Sequence, residues 1–171
     1  MKFIIKFFLI FLVFLFVSQT SKAEQVLKYA NIDRIIKETK IGINMLNKIN
    51  ELDKENIKKL NSFEQELKSK ENEIKSKKNI ISDQEFEKEI NNFKKKLADF
   101  NKEKKIMVTN LKEFKNEELK IFFDKINPIV QNYMNEKSID ILFNSNNIYM
   151  GNKNSDLTKE LIEEINNKIS G

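Results

Sequence analysis

Gly and Pro punctuate a chain, and this one has almost none: Gly42, Gly151, Gly171 and Pro128 are the whole set. Between Gly42 and Pro128 the apolar residues keep a seven-residue repeat, which selects coiled coil over strand. A first run places Leu46, Leu60, Leu67, Ile74 and Ile81 at one seam position, interrupted by Asp53, with Ile49 and Phe63 and then Lys70 and Lys77 at the other. A second run places Phe86, Phe93, Phe100, Met107, Phe114 and Ile121 at one position, and Ile90, Leu97 and Leu111 at the other, with Lys104 and Glu118 as exceptions.

Between the runs lies Ser82-Asp83-Gln84-Glu85, the pattern of a capping box, in which Ser82 accepts from the N–H three residues on and Glu85 returns the bond. A helix start inside a heptad region implies that the chain stops and restarts, so a hairpin folding back near 79–82 is expected. Antiparallel pairing in one register would set Ile81 opposite Phe86, Ile74 opposite Phe93, Leu67 opposite Phe100, Leu60 opposite Met107 and Leu46 opposite Ile121. The layers between them mix one apolar with one polar residue, as in Lys70/Leu97, Phe63/Lys104 and Ile49/Glu118. An arm from 46 to 81 is about 54 Å long at 1.5 Å per residue. Lysines at seam positions trade burial for solvated charge, so the distal half is expected to be flexible.

The chain begins differently. Lys2 and Lys6 precede the apolar run Phe7–Val17, and a polar stretch ends in Ser21-Lys22-Ala23, the organisation of a secretory signal peptide. An 11-residue run falls short of the roughly 20 residues that a membrane-spanning helix requires, so cleavage between Ala23 and Glu24 is expected rather than a permanent anchor. Losing Lys2, Lys6 and Lys22 leaves 28 basic against 26 acidic residues, a net charge of +2 in place of +5. Such a charge, in an exported chain, argues against nucleic acid as a partner. With no Cys and no His, neither a disulfide nor the commonest metal ligands and general base are available, and no cofactor is expected. Scattered carboxylates on a heptad surface form no enclosed pocket, so an enzyme is not expected.

The two ends of the mature chain read as a small body. Residues 24–31 are rich in strand formers, Ser138–Phe143 alternates, and the turn-forming run 144–147 leads into Ile148-Tyr149-Met150, so 138–150 is expected to form a β-hairpin. Ser155 or Asp156 can cap a last helix bearing Leu157, Leu161, Ile162, Ile165 and Ile169 on one face. Pro128 is expected to kink the helix that returns to the body. The fold class is therefore α+β, mainly α: a small β-sheet body from 24–42 and 122–171, and a two-helix arm from 43–121 with its tip near 79–85. A body of roughly 70 residues without staples is marginal alone, which implies self-assembly.

These features resemble the Skp/OmpH family of periplasmic chaperones for outer membrane proteins. The resemblance rests on the leader, on the strand-to-helix segment VLKYANIDRII (26–36), on the charged hairpin capped at its tip, and on the closing segment SIDILFNSNNIYMGNKNSDLTKELIEEINN (138–167). The last is the most specific: Ile139–Asn144 stands where the family reads YDLVLD, and Asp156-Leu157-Thr158 where it reads DIT. The chain departs from the family in its low mature charge and in Pro128. The resemblance implies a periplasmic homotrimer whose three sheets join in a central body, serving as its trimerisation base. Three arms would surround a cavity that holds unfolded outer membrane proteins without ATP. No G-x-x-x-x-G-K-S/T loop is present, in keeping with that.

From 68 to 96 nine lysines face six acids. Lys75, Lys77, Lys78, Lys94, Lys95 and Lys96 are therefore candidates for contact with acidic clients, anionic lipid or lipopolysaccharide. Ile57, Ile80, Ile106 and Val108 lie off the seam and are candidates for lining the cavity. A structural or adaptor protein bridging envelope components is the competing reading, and it would use the same arm.

Overall fold

The computed structural model describes residues 25–169. The expected leader and its Ala23–Glu24 junction lie outside them. Among the described residues no helix is long and apolar enough to cross a membrane. The elements are β1 (Leu27–Ala30), α1 (Ile32–Glu38), α2 (Lys40–Lys77), α3 (Asp83–Glu136), β2 (Ile141–Asn144), the 3-10 turns Ser145–Asn147 and Lys153–Ser155, and α4 (Thr158–Lys168).

The entry to the arm is an elbow. Asn31 caps α1 by accepting from the Arg34 N–H at 2.9 Å. Thr39, fully buried, ends α1 and starts α2: its hydroxyl donates to the Ile35 carbonyl at 2.7 Å and accepts from the Gly42 N–H at 3.2 Å. Gly42 packs so tightly that a Cβ there would lie 1.9 Å from the Ile36 carbonyl oxygen. The Lys40 N–H donates to the Asn166 side-chain oxygen at 2.8 Å, so α4 satisfies another orphan donor of α2.

The arm consists of α2 and α3, joined by the turn 78–82. The capping box is present: Ser82 Oγ accepts from the Glu85 N–H at 3.3 Å while Glu85 accepts from the Ser82 N–H at 3.2 Å. Lys48 meets Glu118, Glu66 meets Lys96 and Lys70 meets Glu89, so the two helices run in opposite directions. The register expected from the heptads is met where Leu67 and Phe100 line one groove, where Ile74 and Phe93 line another, and where Glu118 meets Lys48 beside Ile49, while other contacts are displaced from it. Phe63 packs against Phe100 at a centroid distance of 6.4 Å, and Lys70 reaches Glu89 across the arm.

The seam also changes period. Met107 and Phe114 continue the heptad, but the covered positions then come every four residues, at Phe114, Glu118, Phe122 and Ile126. A four-residue spacing follows the ridges by which globular helices pack, and it turns α3 from α2 toward the body. Phe122, against Phe123 edge-on at 5.3 Å, is buried, whereas Ile121 at the extrapolated heptad position is exposed. Pro128 lies inside α3, which continues to Glu136.

Ser138 follows the end of α3 with a φ of 52°, a left-handed helix stop, so it does not begin a strand. The expected hairpin at 138–150 is not formed. β2 pairs in parallel with β1, Leu27 opposite Ile141 and Tyr29 opposite Phe143, and Ile148-Tyr149-Met150 is not a strand. Asn144 turns the chain away by accepting from the Asn146 N–H at 3.1 Å, and Asn146 in turn donates to Asp33 at 3.1 Å. The crossover between these parallel strands is the whole arm. On the other side of β1 the Leu157 N–H donates to the Tyr29 carbonyl at 2.8 Å.

The core sits where these elements meet: Ala30, Ile35, Met45, Ile49, Phe122, Ile126, Leu161, Ile162 and Ile165. The apolar stripe of α4 covers one face of the sheet, as its spacing predicts, with Leu157 and Ile169 at its margins. Asp156 accepts from the Thr158 N–H at 2.9 Å, and the buried Thr158 hydroxyl accepts from the Asn31 N–H at 2.8 Å. One network thus joins the last helix to the first.

Candidate functional site

Two surfaces project unpartnered apolar or charged groups. The first is the outer face of the sheet. Alternation puts Leu27, Tyr29, Ile141 and Phe143 on one side and Ala30 and Leu142 toward the core. Leu27, Ile141 and Phe143 are exposed, and beside them Tyr149 and Met150 are 100% and 83% exposed. A cleft lined by Tyr29, Phe143, Ile148, Met150 and Gly151 runs along this face. The Tyr29 hydroxyl donates to the Asn152 carbonyl at 3.2 Å, fixing the loop against the sheet.

The second surface is the arm. Of the candidate lysines, Lys75 pairs with Glu71 at 2.6 Å, Lys77 pairs with Glu73, and Lys96 pairs with Glu66 at 2.6 Å. Lys78, Lys94 and Lys95 are exposed and make no ion pair among the described residues, so they are the cations of the set left to face a partner. Lys70, a seam position, bridges the helices by meeting Glu73 at 3.1 Å and Glu89 at 3.2 Å. Its pKa is raised by the hydrogen bond it donates to Glu73 and then by the one it donates to Glu89. Lys96 likewise holds the Glu66 carboxyl below its usual range, chiefly by hydrogen bonding. Because i,i+3 and i,i+4 neighbours meet on a helix, much of the tip's lysine charge is matched locally, which a count along the sequence does not register.

Ile57, Ile80, Ile106 and Val108 are all exposed, Ile80 the most at 79%. Ile57 lies on a shallow strip of α2 with Lys54 and Lys58, and Ile80 sits in the tip turn. A feature missed by the sequence reading lies at mid-arm, where Phe63, Leu67 and Phe100 floor a groove between the helices. Phe63 and Phe100 both occupy seam positions, so the heptad assigns them to burial. Among the described residues no cluster of His, Cys, Asp or Glu is arranged to hold a metal ion.

A small α/β body from which a long helical hairpin projects defines a class of arm-bearing proteins, and the comparisons place the chain within it. The profile of the outer membrane protein (OmpH-like) family matches residues 27–165. The chain belongs to the OmpH-like family. Among solved structures it is similar to a candidate outer membrane chaperone (OmpH-like) from Caulobacter crescentus CB15, with a TM-score of 0.77 at 12% identity, covering 87% of this chain and 88% of that one. At that identity the likeness is one of fold. No curated protein sequence matches this chain significantly.

Proposed function

We propose that this protein is an ATP-independent holdase of the periplasm. It takes unfolded outer membrane proteins into a cavity between arms and keeps them from aggregating. Membership of the OmpH-like family supports a chaperone role, and the leader at 1–23, removed between Ala23 and Glu24, supplies the export this location requires.

The observation that carries the reading is the pairing of a sticky body with an under-packed arm. A two-stranded sheet is at most marginally stable, and this one leaves Leu27, Ile141 and Phe143 uncovered, with Tyr149 and Met150 exposed in the loop that follows it. Other copies of the same chain cover that face in a homotrimer, the body segments 24–42 and 122–171 forming its centre. The arm segments 43–121 then hang around a shared space. Several weak contacts from tethered arms hold a client by effective concentration, with no tight site and no nucleotide cycle. In this arrangement Ile57, Ile80, Ile106 and Val108 face the client, and Lys78, Lys94 and Lys95, with Lys75, Lys77 and Lys96, meet acidic segments, anionic lipid or lipopolysaccharide. The reading includes no catalytic step.

The test is the mass of the mature 24–171 protein by light scattering, alone and mixed with an unfolded outer membrane barrel diluted from urea. A trimer that takes up one client into a soluble complex is expected. A monomer or dimer that leaves the client to aggregate overturns the reading and favours an adaptor that binds one folded envelope partner.

A further inference from the structure

The mid-arm groove encloses about 250 Å³, below the roughly 300–1,000 Å³ typical of small-molecule sites, so it has room for a side chain or two and not for a cofactor. Its floor is aromatic. The Phe63 ring, 43% exposed, tilts by 56° against Phe100, which leaves ring surface facing outward. Its rim is acidic. Glu66 is engaged by Lys96, but Asp99 and Glu103 make no ion pair among the described residues. Those two stand one helical turn apart, where like charges repel, and Lys96, the cation on the same rim, is already paired with Glu66.

We infer that this groove receives a basic side chain, foremost an arginine, from an unfolded polypeptide in which that residue neighbours an apolar one. The inference rests on the client-holding reading and gives its arm a recognition element of opposite sign to the tip lysines. Charge complementarity selects the occupant: a cation sits favourably over a phenyl face, and a carboxylate rim completes its neutralisation. Arginine fits better than lysine because its planar guanidinium can stack on a ring while donating in a fork to carboxylates. The same rim repels anionic lipid and acidic peptide. A client therefore lies along the arm with basic segments at mid-arm and acidic segments nearer the tip.

The test uses the mature 24–171 protein and two blocked octapeptides, one alternating Phe with Arg and the other Phe with Glu. Each is titrated while NMR signals of Leu67 and Phe100 are followed. The basic peptide is expected to shift both signals and the acidic one neither. The double variant Asp99→Asn with Glu103→Gln, which keeps size and helical propensity at the surface, should weaken the basic peptide several-fold to about tenfold, as expected for losing two solvent-exposed charge contacts. Equal shifts from both peptides, or unchanged affinity in the double variant, overturn the inference. Aggregation of an unfolded barrel is measured with the same preparations. If suppression survives while the groove fails to discriminate, the groove inference falls and the holdase reading stands. If the groove selects the basic peptide while suppression is absent, the groove stands and the holdase reading falls.

Discussion

Lys48 Nζ donates to Glu118 Oε1 at 3.1 Å across 70 residues of chain, and the Glu118 side chain is 10% exposed where that of Lys48 is 58% exposed. The pair closes the arm at the point where α3 leaves the seam for the body. Glu118 occupies a position flanked by Phe114 and Phe122 on the covered face, and its ion pair is with Lys48, which solvent also reaches, while Lys125 lines the same pocket.

Removing only the cation should therefore cost more than removing the acid. Lys48→Met leaves a nearly buried carboxylate without a partner and is expected to destabilise by about 1–2 kcal/mol, the lower part of the range for an orphaned charged acceptor because Lys48 is partly solvated. Glu118→Leu fills the same space with an apolar side chain and should be neutral or stabilising. Urea midpoints of the two variants, compared at equal m, check the order. An equal loss in both would show that the carboxylate is held by something other than Lys48.

Gly42→Ala tests the elbow. The new Cβ would fall 1.9 Å from a backbone oxygen and 2.9 Å from Thr39 Oγ1, so α1 and α2 must separate and the Thr39 cap must break. A loss of roughly 2 kcal/mol or more is expected, beyond the ordinary gain from replacing a helical Gly. Thermal unfolding by circular dichroism measures it. A rise in midpoint would mean that the elbow has slack.

Thr158→Val keeps shape and removes the hydroxyl that accepts from the Asn31 N–H. A buried donor left unpaired costs about 1–3 kcal/mol. Hydrogen exchange should localise the effect: the Asn31 amide is expected to lose protection in the variant, while amides at the arm tip keep theirs.

Ser82→Ala removes the hydroxyl side of the capping box, worth about 1 kcal/mol of local helix stability. Glu85 carries the other side, and its pKa is lowered by the Ser82 side chain and then by the Ser82 backbone. The sign follows from that depression. The contribution is present above the unfolded carboxyl value, near 4.3, and is lost as the pH falls through the lower folded value. Protection of the Phe86 amide should fall in acid in the parent protein, and the fall should be smaller in the variant.

Ser138 adopts the left-handed conformation that glycine takes without steric cost. Ser138→Gly is expected to stabilise the chain by up to about 1 kcal/mol, reduced by the extra freedom of glycine in the unfolded state. A lower urea midpoint would show that the Ser138 side chain contributes more than its backbone strain costs.

The local devices were legible because their physics acts within one or two turns. The capping box at Ser82, the stripe of α4 and the heptads up to Phe114 each bring together residues three, four or seven apart, and the structure contains them. The seam beyond Phe114 was not legible. Ile121 continues the repeat on paper, yet the helix there meets α4 as well as α2, and Phe122 is the residue buried there. The mid-arm groove escaped for the same reason, since Phe63 and Phe100 carry the sequence signature of covered residues.

Strand pairing marks the clearest boundary. The sequence reads 24–31 and Ser138–Phe143 as strands, because alternation and residues such as Val26, Tyr29, Ile139 and Ile141 favour an extended backbone wherever the segment lies, and the structure forms strands at Leu27–Ala30 and Ile141–Asn144. The sequence could not tell that Ile141 would choose Leu27 over Ile148, because both pairings satisfy the same alternation. Tertiary structure decided it. The hairpin α2–α3 carries the chain out and back, delivering β2 beside β1, and Asn144 turns the chain into a 3-10 turn before a second strand can form. Backbone propensity belongs to a residue and its neighbours, whereas the partner of a strand edge is settled by which segments the rest of the fold brings within hydrogen-bonding distance.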